Sequence, residues 1–248
     1  MVGYQVSERI NPVLKAEARK LIKENSPKLF IVSVLFVAIM TVTAEFRFRL
    51  PDTRGAYLQY MDRISGGAPH SFEMFFSFLA PIGIALALLS LLVSGVVRVG
   101  FMSYCLKTTR GHHGDSRDIF KGFRYPVKVL LIMIISAALV TAWSLLLIFP
   151  GVIAFYRYRQ AYYILLDAPE KSALQCIRES KTMMRGHKAD LFILDLSFIG
   201  WFVLSALLTL IMLLSLPFSI PIVSIWLSPY FGLSQAAFYN RLLRQFVV

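Results

Sequence analysis

Long apolar segments alternate with short basic segments along this chain. A transmembrane helix needs about 20 mostly apolar residues, and several segments approach or exceed that length. The predicted spans are residues 29–46, 82–106, 129–149, 151–167, 189–216 and 222–242. The pattern predicts an all-α fold, a polytopic integral membrane helical bundle of about six transmembrane helices, which forms a single membrane domain over residues 1–248.

The segment before the first span, residues 1–28, is predicted to be a cytoplasmic amphipathic helix. Apolar residues such as Leu14 and Ala18 recur there at about 3.6-residue spacing, and lysines and arginines lie between them. Short basic helices of the same kind are expected before later spans. The segment lacks an apolar core followed by a small-residue cleavage site, so we expect no secretory signal peptide.

Basic residues set the predicted orientation of the chain. They are concentrated in residues 107–128, 171–188 and 241–244. By the positive-inside rule these segments and both termini are cytoplasmic, and residues 45–71 form an outer loop. Because the first two basic segments both lie inside, the chain must cross back through residues 151–167.

Composition agrees with this pattern. The chain is 57% hydrophobic and 16% charged, and its mean hydropathy is +0.64, which argues against an ordinary water-soluble core. Lys and Arg number 26 against 14 Asp and Glu. Since they lie in short loops between apolar segments, we predict a lipid bilayer and no nucleic acid as partner. Cys105 and Cys176 lie near predicted cytoplasmic ends and are expected to be free thiols.

Prolines and glycines predict where the helices bend or end. Pro81 with Gly83 should bend the second span or split a short piece from it. Pro150 ends the third span, Pro217 marks an outer turn, and Pro229 predicts a kink inside the sixth span.

Away from the ends of the predicted spans lie four charged residues: Arg98, Arg157, Arg159 and Asp195. Charges at membrane depth are unfavourable unless they are paired or hydrated, so these four are the candidates for binding an anionic lipid or another ligand. We expect Arg159 to pair with Asp195, because both lie about 9–12 Å from the inner boundary. Arg157 points about 200° away from Arg159, which leaves Arg157 and Arg98 for a water-filled cavity or an anionic group.

Three roles remain open for these charges. The ion pair can simply fix helix packing while the other arginines snorkel or stack on tyrosines. The arginines can instead bind an anionic lipid or a phosphate. Asp195 can also belong to an ion or proton path.

No catalytic or metal-binding motif accompanies these charges. His112 and His113 with Asp115 offer metal ligands, but no further ligand is spaced to close a site, which favours a solvated loop. The sequence has no P-loop, zinc-protease, nucleophile-elbow or dinucleotide-binding signature. We therefore predict no metal, no cofactor and no enzymatic activity.

The second half of the chain carries several distinctive strings. They are Phe149-Pro150-Gly151, ESKTMMRGHK from Glu179 to Lys188, LDLSFIGW from Leu194 to Trp201, Ser228-Pro229-Tyr230, and AAFY from Ala236 to Tyr239. With these strings the chain resembles an uncharacterised family of bacterial integral membrane proteins, domain of unknown function 975. The resemblance implies a multi-pass protein of the bacterial plasma membrane, and it implies no established reaction.

The leading hypothesis is a non-enzymatic accessory or scaffold protein that engages anionic phospholipid, a membrane protein partner or a second copy of itself. The alternative is a small transporter or channel, indicated by Asp195 and by the Pro and Gly breaks. A third hypothesis is a lipid-modifying enzyme with its site near His187 and Asp190.

Overall fold

The computed structural model describes residues 4–44, 70–112, 114–215 and 222–247, and these residues form helices joined by short turns. The helices are α1 (Tyr4–Glu24), α2 (Ser26–Ala44), α3 (His70–Thr109), a 3₁₀ helix (Ser116–Arg124), α4 (Pro126–Leu146), α5 (Ile148–Tyr158), α6 (Ala161–Asp167), α7 (Ala173–Met183), α8 (Lys188–Leu196), α9 (Ile199–Ser215) and α10 (Ile222–Val247). The predicted all-α class is confirmed for these residues. Nearly all of the predicted outer loop and the turn at Pro217 lie outside them.

Three of the described helices are long and apolar enough to cross a membrane by themselves. They are α2, the part of α3 from Gly83 to Thr109, and α4. A fourth candidate span exists if α8 and α9, which are bent by 44° at a short break, count as one. The predicted spans at 151–167 and 222–242, which correspond to α5–α6 and to α10, are not in this set. The count of six therefore stays a prediction.

Two predicted spans prove to be interrupted helices. The span predicted at 189–216 is α8 and α9, and the span predicted at 151–167 is broken between α5 and α6. In both places a side chain on another helix donates a hydrogen bond to a backbone carbonyl near the break. The hydroxyl of Ser180 donates to the carbonyl of Arg157 at 2.8 Å, and Lys15 Nζ donates to the carbonyl of Ser197 at 3.0 Å.

At Pro81 the sequence predicts a bend or a split. The split does not occur, since α3 is a single helix from His70 to Thr109. The chain divides into two compact units, residues 38–95 and residues 1–37 with 96–248. In the smaller unit, buried hydroxyls bond to carbonyls of their own helix: Thr43 to Ile39 at 2.9 Å, and Ser90 to Ala87 at 2.8 Å. Small polar residues are thereby accommodated in apolar helices without unmet donors.

The larger unit contains α1 and all the helices after α3. α1 packs against α8 and α10 and buries Leu14 and Ala18, as its amphipathic pattern predicts. α4 and α5 pack together as a hairpin. Lys128 in the first turn of α4 donates to the carbonyls of Pro169 and Lys171, at 2.5 and 3.1 Å. The segment that follows α6 therefore lies beside the first turn of α4.

The tip of this hairpin is apolar and exposed. Every residue from 141 to 149 is exposed, including Leu145 at 83% and Phe149 at 82%. An exposed apolar surface of this kind suits a lipid environment rather than water.

The 3₁₀ helix is held against α3 by backbone contact and by an ion-pair cluster. A Cβ atom at Gly122 would collide with the carbonyl oxygen of Val96. Asp118 is buried and lies 2.8 Å from both Lys107 Nζ and Lys121 Nζ. Burial by itself would raise the pKa of Asp118, but the hydrogen bonds from these lysines hold it below the ordinary value of 3.8.

Candidate functional site

Asp195 of α8 is the centre of a polar cluster that joins α5, α8 and α10. Its carboxylate forms an ion pair with Arg159 and accepts a hydrogen bond of 3.1 Å from the hydroxyl of Tyr156. The amide of Gln235 on α10 donates to its other oxygen at 2.6 Å. The predicted pairing of Arg159 with Asp195 is confirmed.

Aromatic rings surround the cationic side of this pair. The Arg159 guanidinium lies 5.5 Å from the ring centre of Phe155, 5.9 Å from Tyr156 and 5.6 Å from Phe231. The pair is largely buried, with 22% of the Arg159 side chain and 15% of the Asp195 side chain exposed. Because both charges are satisfied within the protein, this cluster fixes the packing of three helices.

Arg157 points away from this cluster, as the 200° relation to Arg159 predicts. Its backbone is fastened to the last turn of α7 by the hydroxyl of Ser180, which is fully buried. Its charge lies within electrostatic range of Lys188, as does that of Arg185. The charges of Arg157 and Arg185 thus both act on Lys188, near the place where α5 contacts the end of α7. We call Arg157, Arg185 and Lys188 the cation cluster.

The structure brings Arg157 and the end of residues 171–188 closer together than the sequence indicates. The sequence places Arg157 about 15 Å inside the membrane and residues 171–188 in a loop outside it. In the structure α7 folds back along α6 and α4, so the end of this segment reaches the level of Arg157. The turn that follows α7 requires Gly186, whose φ of +84° is in the left-handed region that glycine adopts without strain.

Arg98 lies apart from the cation cluster. It is exposed on α3 and its charge acts on Tyr162 of α6. The four predicted residues thus do not form one site: Arg159 and Asp195 pair, Arg157 joins two cations that were predicted only as loop residues, and Arg98 stands elsewhere.

A second network, which the sequence did not reveal, ties the end of α3 to α6 and α10. The guanidinium of Arg110 donates two hydrogen bonds of 2.7 Å to Asp167 and one of 3.0 Å to Asn240. The hydroxyl of Tyr239 donates to Asp167 at 2.9 Å. The segments predicted to be cytoplasmic at the ends of α3, α6 and α10 are thus brought to one end of this unit.

Gln235, Arg185 and Lys188 were also missed as site residues. A polar glutamine inside an apolar stretch was a usable signal for Gln235, because such residues in membrane helices usually have a partner. For Arg185 and Lys188 there was no such signal, since basic residues in a loop are normal.

Comparison with known proteins decides the family. The family described as "Protein of unknown function (DUF975)" matches residues 32–245. The chain belongs to this family. α1 lies before the matched residues of this DUF975 protein. The polar cluster around Asp195 and the cation cluster lie within the matched residues. No curated protein matches the chain, and no solved structure matches it.

The remaining candidates of the sequence are located as follows. His187 Nδ1 lies 3.2 Å from an oxygen of Asp190, at the start of α8. Among the described residues no group of three His, Cys, Asp or Glu side chains could hold a metal ion, and His113 lies outside those residues. Cys105 and Cys176 are buried free thiols, as predicted.

Proposed function

We propose that this DUF975 protein is a non-enzymatic, multi-pass protein of the bacterial plasma membrane that holds the phosphate of an anionic lipid headgroup in the cation cluster. The observation that carries the proposal is that the charges of Arg157 and Arg185 both act on Lys188, at the place where the backbone of Arg157 is bonded to the last turn of α7. Within the described residues, none of these three side chains has an ion pair or a hydrogen bond.

Three like charges in one place repel each other, and an anion relieves that repulsion. Arg157 and Lys188 are half-buried, so solvent screens their repulsion less than it would on an open surface. Guanidinium and ammonium groups are the side chains that bind phosphate best, arginine by paired hydrogen bonds and lysine as a point charge.

The surface beside the cluster supports a lipid rather than a free phosphate. On α5 the apolar residue Ile153 lies one helical turn before Arg157, on the same side of the helix, and is 46% exposed. A lipid bound through its phosphate would lay its acyl chains along this surface, whereas inorganic phosphate would leave it uncovered.

The cytoplasmic leaflet is the proposed location of the site. The basic segments around the cluster favour that side by the positive-inside rule. Anionic lipids are concentrated there, and each Lys or Arg near the surface contributes about 1 kcal/mol to binding them.

Native mass spectrometry of gently extracted protein tests the proposal. The variant Arg157→Ala with Lys188→Ala should lose most of the retained anionic phospholipid. The control Arg178→Ala with Lys181→Ala removes the same charges from exposed positions on α7 and should retain it. Equal retention by both variants, or equal loss, would contradict a specific lipid site.

A small transporter is the second candidate, because both interrupted helices meet at Asp195. Transport proteins often place substrate sites at interrupted helices. Ion or solute flux into proteoliposomes, abolished by Asp195→Asn in protein that remains folded by circular dichroism, would favour this candidate over the lipid-binding one. Absence of flux in the wild type would remove it.

A further inference from the structure

Gln160 lies between α5 and α6 and is completely buried. Its exposed fraction is 0%, and within the part of the chain that the structure describes neither Nε2 nor Oε1 of its amide has a hydrogen-bond partner. Buried amides in folded proteins are almost always hydrogen-bonded, because an unmet donor and acceptor in an apolar interior are unfavourable. Gln160 therefore needs a partner that the described residues do not supply.

The position of Gln160 directs it toward the interior of the larger unit. It precedes Tyr163 and Ile164 by about one helical turn, so the three residues lie on the same side of this segment. Tyr163 and Ile164 are both buried, and the Tyr163 ring stacks on Tyr239 of α10 with ring centres 5.0 Å apart. The amide thus belongs to the side of α6 that faces α10.

The charges next to Gln160 are already neutralised within the protein. Arg159 pairs with Asp195, and Gln235 occupies the second oxygen of that carboxylate. A charged ligand would find no free countercharge here. A neutral molecule that both accepts from Nε2 and donates to Oε1 would satisfy the amide.

The interruption between α5 and α6 supports a ligand site, although Arg159 and Gln160 keep φ and ψ in the right-handed helical region. The α5–α6 break lies at Arg159 and Gln160, and the α8–α9 break follows Asp195, the partner of Arg159. Interrupted helices in membrane proteins occur where they are buried in protein or line a polar cavity, and ligands bind at such breaks.

We propose that the break between α5 and α6 is a binding site for a small neutral molecule that both donates and accepts hydrogen bonds, held by the amide of Gln160. Such a molecule can be a trapped water or a diffusible solute with an amide or hydroxyl group. The inference is independent of the proposed lipid site, because Arg157 points toward the turn between α7 and α8 instead.

Crystal structures and thermal unfolding of the full-length protein in detergent test the inference, with Gln160→Met as the variant. In the wild type we expect density within hydrogen-bond distance of both amide atoms, and in Gln160→Met we expect that density to be lost and Tm to fall by about 2–4 °C. The control Gln245→Met changes an exposed glutamine on α10 and should leave Tm unchanged.

The shape of the density at Gln160 distinguishes a trapped water from a diffusible solute. A single sphere identifies water, and Tm then does not depend on added acetamide. An elongated density, with stabilisation by acetamide in the wild type that Gln160→Met lacks, identifies a diffusible solute. An empty site in the wild type overturns the proposal. A higher Tm in Gln160→Met also overturns it, because replacing a buried amide that has no hydrogen-bond partner with an apolar side chain raises stability.

Discussion

The ammonium group of Lys15 donates a hydrogen bond of 3.0 Å to the backbone carbonyl of Ser197, 182 residues away in the sequence. The same group lies 4.4 Å from the centre of the Phe198 ring. Ser197 and Phe198 form the bend between α8 and α9, where carbonyls lose their partners within the helix. Lys15 therefore caps the end of α8 and ties the amphipathic helix α1 to the bend.

We expect Lys15→Met to loosen this bend. Methionine keeps the apolar stem but cannot cap the carbonyl, so stability should fall by about 1 kcal/mol. Hydrogen–deuterium exchange should rise at residues 197–202 and along α1. The control Lys23→Met, at an exposed position on α1, should change neither quantity, and the same increase in both variants would show that α1 is held only by general charge attraction.

The bend also shows where sequence reasoning ends. The segment LDLSFIGW contains no proline, and its apolar character predicts one uninterrupted span. At the break Lys15, a tertiary partner far away in the chain, caps the carbonyl of Ser197, and the hydroxyl of Ser197 bonds to the carbonyl of Leu194 at 2.5 Å. At Pro81 the sequence predicts an interruption that the structure does not have. There α3 continues through a residue that usually bends or breaks a helix.

The candidate site was predictable to the extent that it depends on helical geometry. The spacing of Arg157 and Arg159 dictates opposite directions, and the rarity of a carboxylate inside an apolar span singles out Asp195 as the partner. The return of α7 toward Arg157 was not predictable, because it results from packing against α4, α5 and α6. The cation cluster depends on that packing, and so its second and third members were missed.

The ion pair between Arg159 and Asp195 predicts how the stability of single and double variants should differ. Asp195→Asn leaves the arginine charge unpaired among aromatic rings, and stability should fall by about 2–4 kcal/mol. The double variant Arg159→Met with Asp195→Asn removes both charges and should be more stable than Asp195→Asn alone. Thermal unfolding in detergent measures the difference. Additive losses would instead show that the two charges act independently.

The contact between the 3₁₀ helix and α3 should not tolerate a side chain at Gly122. In Gly122→Ala the new Cβ meets the carbonyl oxygen of Val96, a backbone atom that cannot move aside. We expect a loss of about 1–3 kcal/mol and faster exchange in residues 115–124. Gly200→Ala is the matched control, because nothing lies within 4 Å of a Cβ there. That change, near the start of α9, should be neutral or stabilising.

Asp118 should make the stability of this contact depend on acidity. Its pKa in the folded protein is below the ordinary 3.8, because hydrogen bonds from Lys107 and Lys121 outweigh the opposing effect of burial. Since the unfolded chain binds this proton more readily, the carboxylate stabilises the fold above about pH 4, and the contribution is lost as pH falls through the lower folded pKa.

Between about pH 5 and pH 3, the wild type should therefore lose more stability than Asp118→Asn, in which this group no longer titrates. Asp115→Asn neutralises an exposed carboxylate at the start of the same 3₁₀ helix and should retain the wild-type slope. Thermal unfolding at a series of pH values gives the three slopes directly. Parallel curves for the wild type and Asp118→Asn would mean that the lysines do not hold this carboxylate in its charged form.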